Sequence, residues 1–212
     1  MTKIQDLRKE YKMAALDLTD VDKEPMKQFQ LWFEEALKAD VIEPNAMFLA
    51  TVSKEGKPSG RVVLLKDIAE GGLVFYTNYE SRKAKDIAEN QFVSLTFFWA
   101  DLERQVRVEG YIRKVSEQRS TEYYLSRPYE SQIGAWASPQ SRVVTDKTFL
   151  EQSFAKFLDE FSQKAIHKPA HWGGYVVIPT YFEFWQGRPN RMHDRICYEL
   201  EENNWLIKRL AP

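Results

Sequence analysis

The sequence has little of what marks secreted, membrane or nucleic-acid-binding proteins. Its 212 residues include one cysteine, Cys197, which excludes an internal disulfide and suggests a reducing, cytoplasmic setting. No run reaches the ~18 apolar residues of a membrane span, and the charged N-terminus lacks the apolar stretch of a signal peptide. The formal net charge is -1, from 30 Lys+Arg and 31 Asp+Glu, so we expect neither nucleic acid nor a membrane as partner.

Several ligand-binding motifs are also missing. The histidines at positions 167, 171 and 193 show no spacing that would make a zinc site with Cys197, so no metal is expected. There is no Gly-x-Gly-x-x-Gly after a strand, no Gly-x-x-x-x-Gly-Lys-Ser/Thr loop and no Gly-x-Ser-x-Gly elbow. If the protein binds a phosphate, side chains must therefore hold it.

The composition is that of a globular protein with an appended arm. The sequence is 43% hydrophobic and 14% aromatic, which is sufficient for a core. Residues 1–24 are polar and charged without a clear period, and we interpret them as a mobile arm, or as an arm ordered by what it covers. No linker divides the rest, so residues 25–212 are expected to form a single domain.

The hydrophobic pattern predicts short strands in hairpin order with helices added. Helices are expected at residues 26–39, at 81–90 after a Ser81 cap, at 116–126, and after an Asp146 cap, with an apolar stripe from Phe149 to Phe161 more consistent with core than with a cofactor site. Strands are expected at residues 47–53, 60–66, 73–78, 92–99, 104–115, 174–179, 181–186, 195–200 and 205–209. This order favours a mainly β fold, an antiparallel barrel with helical additions.

Three groups of cations are candidates for anion binding. Arg82 and Lys83 occupy a first helical turn, where the helix dipole disfavours cations unless an anion shares the site. Arg61 and Lys66 flank one strand, and Arg127 lies near Tyr123 and Ser131. The alternative for each cation is an ordinary solvated side chain.

The segment Trp185–Arg195 has the composition of a site. It contains three arginines, His193 and Asp194 between two apolar runs, and guanidinium groups this close need an anion among them. The alternative is a solvated hairpin tip in which Asp194 pairs with one arginine. Glutamines 105, 140 and 186 are candidates for contacts with a heterocycle, or are ordinary surface residues.

Eight ordered motifs carry a resemblance to a known family. They are Arg61–Lys66, Phe75–Asn78 with Ser81–Lys83, Glu103–Val106, Ser126–Pro128, Ser131–Trp136, Trp172–Gly174, Glu183–Gly187 and Arg191–Arg195. Together they resemble the pyridoxine/pyridoxamine 5'-phosphate oxidase family, from about Arg8 to the C-terminal Arg-Leu-Ala-Pro. One departure is Met192, where the family pattern has leucine, a change of little volume.

The resemblance implies a homodimer of antiparallel FMN-binding split barrels, with two active sites built across the dimer interface. It assigns FMN to Arg61, Val62, Val63, Leu64, Leu65, Lys66, Tyr76, Thr77, Arg82, Lys83, Gln105, Gln140, Ser141, Trp185 and Arg195. It assigns the substrate's phosphate to Lys66, Tyr123, Arg127 and Ser131, its ring to Arg191, Met192 and His193, and a covering segment to Arg8, Lys9, Glu10 and Tyr11. Arg191 and His193 are the implied catalytic residues, which orient the ring and steady its charge.

The implied reaction is oxidation of pyridoxine or pyridoxamine 5'-phosphate to pyridoxal 5'-phosphate. Hydride passes from C4' to flavin N5, and O2 reoxidises the flavin with release of H2O2, and of NH3 from the amine substrate. Two other functions stay open. One is a flavin reductase of the same fold, which would lack the Tyr123, Arg127 and Ser131 cluster. The other is a non-catalytic carrier of pyridoxal phosphate or flavin.

Overall fold

A computed structural model of the protein describes Ile4 and residues 10–212, so the predicted site residues Arg8 and Lys9 lie outside the described residues. The helices of the described part are α1 (Pro25–Lys38), α2 (Arg82–Glu89), α3 (Glu117–Ser126), α4 (Tyr129–Ala137) and α5 (Lys147–Ser162). The strands are β1 (Ala46–Val52), β2 (Pro58–Leu64), β3 (Asp67–Ala69), β4 (Gly72–Asn78), β5 (Phe92–Trp99), β6 (Arg104–Lys114), β7 (Trp172–Gln186), β8 (Asp194–Glu201) and β9 (Asn204–Leu210).

Most predicted elements are confirmed to within two residues, and the predicted caps are real. The Ser81 hydroxyl accepts a hydrogen bond from the Ala84 N–H at 3.4 Å, and the Asp146 carboxylate accepts one from the Phe149 N–H at 2.9 Å. These bonds satisfy N–H groups that the first turn of a helix leaves without an intrahelical partner.

Three expectations about the elements differ from the structure. Residues 174–179 and 181–186, predicted as two strands, are parts of the single strand β7, which passes through Pro179 and Thr180 without a break. Helix α4, which follows Pro128 directly, and the short strand β3 were not predicted. The expectation that the stripe from Phe149 to Phe161 is core is wrong for most of α5, since Phe161 is its only buried residue.

The strands form one sheet in which neighbours follow the order β2, β1, β5, β6, β7, β4, β3, while β8 pairs with β7 and β9 pairs with β8. The pairings of β3 with β4, β4 with β7, β7 with β8, and β8 with β9 are all antiparallel. The predicted mainly β, antiparallel class with added helices is therefore confirmed.

The chain forms two compact units. Unit 1 comprises the described residues up to Leu49 together with Ser94–Gly110 and Pro179–Pro212, and unit 2 comprises Ala50–Val93 and Tyr111–Ile178. The core of unit 1 is aromatic, built around the fully buried Phe29, Phe97, Phe184 and Tyr198. The core of unit 2 is built around Leu73, Val74, Phe75, Tyr124, Ile133 and Val176, which are also fully buried. None of the helices in the described part of the chain is long and apolar enough to cross a membrane.

Candidate active site

Unit 2 contains a cavity of about 340 Å³ in which most of the predicted phosphate-binding residues meet. Its walls are formed by Arg61, Val62, Val63, Leu64, Lys66, Tyr76, Thr77, Lys83, Tyr123, Arg127, Gln140 and Trp172. All of these except Trp172 belong to the set predicted to bind FMN or substrate. The lining includes four cationic side chains and no carboxylate, so the cavity suits an anion.

Two glycines of β7 allow aromatic side chains to pack closely beside this cavity. Gly173 and Gly174 of β7 pair with Thr77 and Tyr76 of β4. A Cβ atom at Gly173 would lie 2.3 Å from the Tyr79 hydroxyl, and one at Gly174 would lie 2.7 Å from the Tyr76 ring. Only a residue without a side chain allows the tyrosines to approach β7 this closely. The motif Trp-Gly-Gly is thus a requirement of packing beside the site.

Arg61 is held in the cavity wall by hydroxyl groups. Its Nη1 donates to Thr51 Oγ1 at 2.8 Å and its Nη2 donates to Ser59 Oγ at 2.6 Å. Asp86 is 3.9 Å from Nη2, and its Oδ2 also accepts a hydrogen bond from Thr51 at 2.7 Å. Burial lowers the pKa of Arg61; Asp86 opposes that shift and Arg82 adds to it. The network fixes the direction of the guanidinium.

Lys83 is buried and surrounded by neutral acceptors. Its Nζ donates to Thr77 Oγ1 at 3.0 Å, to Gln140 Oε1 at 2.8 Å and to Ser81 Oγ at 3.3 Å. Burial, and then the charge of Arg61, lower the pKa of Lys83 to about 8. A bound anion would favour the charged form of this amine, because it would offset both effects.

Arg127 lines the same cavity and has one donor without a partner in the described part of the chain. Among the described residues its buried Nη1 has no hydrogen-bond partner, and its guanidinium lies 4.8 Å from the centroid of the Trp172 ring. Burial lowers the pKa of Arg127, against the effect of the two neighbouring tyrosines. Buried donors are rarely left unpaired, so this nitrogen marks a place for an acceptor from outside the chain.

Tyr76, Tyr123 and Trp172 form a stack of near-parallel rings beside Arg127. The centroids of Tyr76 and Tyr123 are 3.9 Å apart, and those of Tyr76 and Trp172 are 5.5 Å apart. Ser131 lines a second cavity of about 240 Å³, which shares Arg127, Gln140 and Trp172 with the first. The predicted cluster of Tyr123, Arg127 and Ser131 is therefore brought together.

Six residues predicted to bind FMN lie outside this cavity lining: Gln105, Trp185 and Arg195 belong to unit 1, and Leu65, Arg82 and Ser141 belong to unit 2. Leu65 is buried in the core of unit 2, Arg82 is exposed in the first turn of α2, and Ser141 is exposed with a φ of 68°. Trp172 was missed as a lining residue. Its motif was noticed in the sequence, yet the pattern gave it no role, because Arg127 reaches it from another element.

The predicted residues of unit 1 meet at the turn between β7 and β8. The ring of His193 lies 4.7 Å from that of Trp185, and the ring of Tyr11 lies 5.6 Å from Trp185 and 5.8 Å from His193. His193 Nδ1 accepts a hydrogen bond from the Arg188 N–H at 3.1 Å, which leaves Nε2 as the nitrogen able to face a ligand. Residues assigned to flavin, to substrate and to the covering segment thus share one cluster.

The three arginines of this turn have different partners. Arg195 forms two hydrogen bonds with Glu183, Nε to Oε1 at 2.9 Å and Nη2 to Oε2 at 3.0 Å. Arg188 pairs with Asp194, its Nε 3.4 Å from Oδ2. Arg191 is exposed, has a φ of 61°, and has no ion-pair or hydrogen-bond partner among the described residues. Asp194 therefore pairs with one arginine of the turn, as the solvated alternative supposed, but Arg191 remains available.

The remaining predicted residues of unit 1 are less enclosed. Gln105 is half-buried on β6 and Met192 is exposed, while Glu10 forms an exposed ion pair with Lys12 at 2.7 Å. Gln186 is fully buried, donating to the carbonyl oxygens of Leu102 and Glu103 at 3.2 and 3.3 Å. The suggestion that Gln186 contacts a heterocycle is therefore wrong, because both ends of its amide bond protein groups.

The antiparallel sheet and the carboxylate-free cationic cavity define a β protein that binds a phosphorylated small molecule. Comparison with protein-family models specifies the family: residues 33–159 match the model described as pyridoxamine 5'-phosphate oxidase, and residues 172–212 match the pyridoxine 5'-phosphate oxidase C-terminal dimerisation region. The chain belongs to the pyridoxamine 5'-phosphate oxidase family.

Curated relatives agree over the full length. The chain is 50% identical over 209 residues to a pyridoxine/pyridoxamine 5'-phosphate oxidase of Cyanothece sp., covering 99% of this chain and 98% of the relative. It is 51% identical over 211 residues to the enzyme of the same description from Leptospira interrogans, covering 99% of each.

Solved structures confirm the fold. PhzG from Burkholderia lata, in complex with tetrahydrophenazine-1-carboxylic acid, superposes with a TM-score of 0.87 at 29% identity, covering 92% of this chain and 95% of that one. An FMN-binding, pyridoxamine 5'-phosphate oxidase-related protein from Nostoc punctiforme gives a TM-score of 0.71 at 16% identity, covering 91% of this chain and 100% of that one, and shows the fold alone. The predicted antiparallel split barrel is confirmed, and the match to the dimerisation region makes the protein a homodimer.

Proposed function

We infer that the chain is an FMN-dependent oxidase that converts pyridoxine 5'-phosphate or pyridoxamine 5'-phosphate to pyridoxal 5'-phosphate in vitamin B6 metabolism. The observation that carries this inference is the cavity of unit 2, with four cations and no carboxylate in its lining. The full-length relatives at about 50% identity support the same activity.

The overall reaction consumes O2 with either substrate. Pyridoxine 5'-phosphate and O2 give pyridoxal 5'-phosphate and H2O2, while pyridoxamine 5'-phosphate, O2 and water give the same two products and NH3. FMN, when bound, supplies the two-electron acceptor that no amino-acid side chain provides. The chain's own residues bind, orient and balance charge.

The donors of unit 2 fit two phosphate groups. We propose that Arg61 and Lys83, with Thr77, Gln140 and the nearby Arg82, hold the phosphate of FMN, while β2 and Tyr76 line its remaining path. We propose that Lys66, Tyr123, Arg127 and Ser131 hold the phosphate of the substrate. Nη1 of Arg127 supports this division, since it is a donor that no group in the described part of the chain uses. Each phosphate carries nearly two negative charges, which one cation alone would not balance.

The residues of unit 1 would contact the ring systems. We propose that Trp185, Arg195 and Gln105 contact FMN, and that Arg191 and His193 orient the pyridine ring of the substrate and steady charge on it. Among residues 10–212 the Arg191 guanidinium has no protein partner, and this supports the role, because such a cation beside His193 is available to a ligand. Neither residue needs to remove a proton as a general base.

Three further proposals concern organisation. Residues 25–212 act as a single split-barrel domain, with residues 1–24 as an arm whose residues near Tyr11 cover the substrate. The two active sites of the homodimer are built across its interface. The enzyme works in the cytoplasm, which suits its lone cysteine.

Anaerobic reduction of the bound flavin tests the function. The purified protein should show a yellow flavin spectrum, and pyridoxine 5'-phosphate added without oxygen should bleach it. Admission of oxygen should restore the spectrum and produce H2O2. A carrier would keep its colour, and a flavin reductase would bleach with a reduced nicotinamide cofactor but not with pyridoxine 5'-phosphate. Either outcome would remove the proposed activity.

A further inference from the structure

The backbone of the N-terminal arm forms hydrogen bonds with side chains of unit 1. Glu103 Oε2 accepts hydrogen bonds from the N–H groups of Lys12 at 2.8 Å and of Met13 at 3.1 Å. A carboxylate that accepts two backbone N–H bonds makes charge-assisted hydrogen bonds, which are stronger than neutral ones. Because only backbone atoms of the arm take part, these bonds fix its path without depending on its side chains.

Arg188, which had no assigned role, forms a second contact with the backbone of the arm. Its Nη1 donates to the Ala14 carbonyl oxygen at 2.9 Å, and its Nε pairs with Asp194. Asp194 Oδ2 in turn accepts the Leu16 N–H at 3.1 Å, and Arg209 Nη2 donates to the Leu16 carbonyl oxygen at 3.0 Å. Arg188 therefore bridges the arm and the turn between β7 and β8.

Glu103 occupies a backbone conformation that glutamate does not favour. Its φ is 56° and its ψ is 38°, in the left-handed region where glycine or asparagine is the usual residue, and only 3% of its surface is exposed. Its carbonyl oxygen also accepts the Gly187 N–H at 2.8 Å. A strained backbone conformation persists only where the surrounding structure requires it. The hydrogen bonds that the carboxylate accepts therefore explain why a glutamate occupies this position.

These bonds determine where Tyr11 lies. The tyrosine ring packs edge-on against Trp185 and His193, and a Cβ atom at Gly187 would lie 2.7 Å from Tyr11 Cγ. Trp185 and His193 are the residues proposed to contact flavin and substrate ring. The position of the arm is therefore coupled to the position of both rings.

We propose that Glu103 and Arg188 are positioning residues for the oxidase reaction: they hold the arm by its backbone so that Tyr11 packs against Trp185 and His193. The structural part of this proposal stands on the hydrogen bonds alone. Its kinetic part rests on the proposed function. In this proposal both residues act through Tyr11.

The test compares Arg188→Ala, Arg188→Lys and Glu103→Gln with the wild type as FMN-loaded homodimers. Arg113→Ala serves as a matched control, because Arg113 forms an exposed ion pair with Glu70 in unit 2. Hydrogen–deuterium exchange of peptides covering residues 11–17 reports the arm directly, and steady-state kinetics with pyridoxine 5'-phosphate reports its consequence. The dissociation constant of FMN and the thermal midpoint show whether the fold is intact.

Arg188→Ala should speed exchange of the arm about tenfold and raise KM for pyridoxine 5'-phosphate about tenfold, with kcat changed less and FMN affinity unchanged. Arg188→Lys should partly restore both the slow exchange and the low KM. A single ammonium group can reach Ala14 or Asp194 but does not reproduce the several fixed donors of a guanidinium. Glu103→Gln should speed exchange at residues 12 and 13 while keeping the side-chain shape.

Unchanged exchange in both Arg188→Ala and Glu103→Gln would overturn the proposal, as would faster exchange with unaltered KM. A wild-type protein that does not oxidise pyridoxine 5'-phosphate would instead overturn the proposed function, and the exchange experiment would still decide whether Glu103 and Arg188 hold the arm.

Discussion

The cavity of unit 2 and the turn between β7 and β8 in unit 1 both concentrate cations, but they balance them differently. The lining of the cavity contains Arg61, Lys66, Lys83 and Arg127 without a carboxylate. In the turn, Glu183 pairs with Arg195 and Asp194 pairs with Arg188, so two of three arginines are neutralised by the chain itself. The cavity cations are therefore less fully balanced by the chain than the arginines of the turn, although Asp86 lies 3.9 Å from Arg61.

The same comparison explains the pKa shifts. In the cavity, burial outweighs attraction, so the pKa values of Lys83, Arg61 and Arg127 are lowered. In the turn, the hydrogen bonds that Arg195 donates to Glu183 raise the pKa of Arg195 despite its partial burial. These directions follow from the surroundings, because burial disfavours the charged form of the cavity cations and a hydrogen-bonded carboxylate favours the charged form of Arg195.

The largest effect is expected for Arg127→Ala. Loss of two charge-assisted hydrogen bonds to the substrate phosphate should weaken substrate binding by about 3 to 4 kcal/mol, a few hundred-fold. The dissociation constant, taken from the concentration dependence of anaerobic flavin reduction, checks this. FMN binding should change little. Arg142→Ala, which removes an arginine from an exposed ion pair with Glu80, is the control. Equal losses for FMN and substrate would mean that the two phosphate sites are misassigned.

A smaller effect, about 100-fold, is expected for Arg191→Leu and for His193→Ala in single-turnover flavin reduction, because a misplaced substrate ring reacts slowly. The two variants also test the contrast within unit 1, since Arg191 is the arginine of the turn that has no partner among the residues that the structure describes. Arg191→Lys should recover part of the rate. If rate and substrate affinity stay at wild-type levels in both variants, these residues have no part in the mechanism.

Lys83→Met should weaken FMN binding by about 1.5 kcal/mol, roughly tenfold, through loss of one charge-assisted hydrogen bond. The pH dependence is the sharper test. Because the pKa of Lys83 is about 8 without ligand, the anion must bind to an amine that loses its proton above that pH. The FMN dissociation constant should therefore rise by up to about tenfold in total as pH increases above about 8 and then level off, because loss of the charge costs no more than loss of the side chain.

Lys83→Arg should keep affinity nearly constant through pH 9, because a guanidinium stays charged there. Lys85→Met removes an exposed lysine from the same helix and should keep the wild-type pH profile. The stability of the unliganded protein should change with pH in the opposite direction to FMN affinity. Burial penalises the charged amine, so the protein without ligand should gain stability as pH rises from about 8 towards 10.5. An FMN affinity that is flat across this range would mean that Lys83 does not bind the anion.

The local parts of this structure were predictable from the sequence, and the long-range parts were not. The Ser81 and Asp146 caps follow from side-chain chemistry within three residues, and the alternation of β6 follows from its period of two. The continuity of β7 through Pro179 depends on its strand partners, which no short window contains.

The candidate site shows the same division. The cations of the cavity were identified from motif and charge, and the structure brings most of them together. The hydrogen bonds that hold the arm could not be predicted from the sequence, because the bond from Lys12 to Glu103 spans 91 residues and the bond from Arg188 to Ala14 spans 174. Composition predicted a site at Trp185–Arg195, with a solvated hairpin tip as the alternative, but only geometry showed which of its arginines are already paired.

The last effect is on stability rather than binding and is expected for Glu183→Gln, which tests the paired side of the comparison. Glu183 is buried, and although burial raises its pKa, the hydrogen bonds and charges of Arg195 and Arg107 lower it overall. A carboxyl group whose pKa is lowered in the fold stabilises the protein above its unfolded pKa, near 4.5, and that contribution is lost as pH falls through the folded value.

Glu183→Gln should therefore destabilise the protein at pH 7 by about 1 to 2 kcal/mol, since both arginines are partly exposed to solvent and the full penalty of a buried unpaired charge does not apply. In a chain of this size that lowers the thermal midpoint by roughly 2 to 8 °C. Glu109→Gln removes an exposed partner of Arg107 and should shift the midpoint far less. The difference in thermal midpoint between wild type and Glu183→Gln should narrow below about pH 4.5. A difference that stays constant to pH 3 would show that the charge of Glu183 contributes nothing to stability.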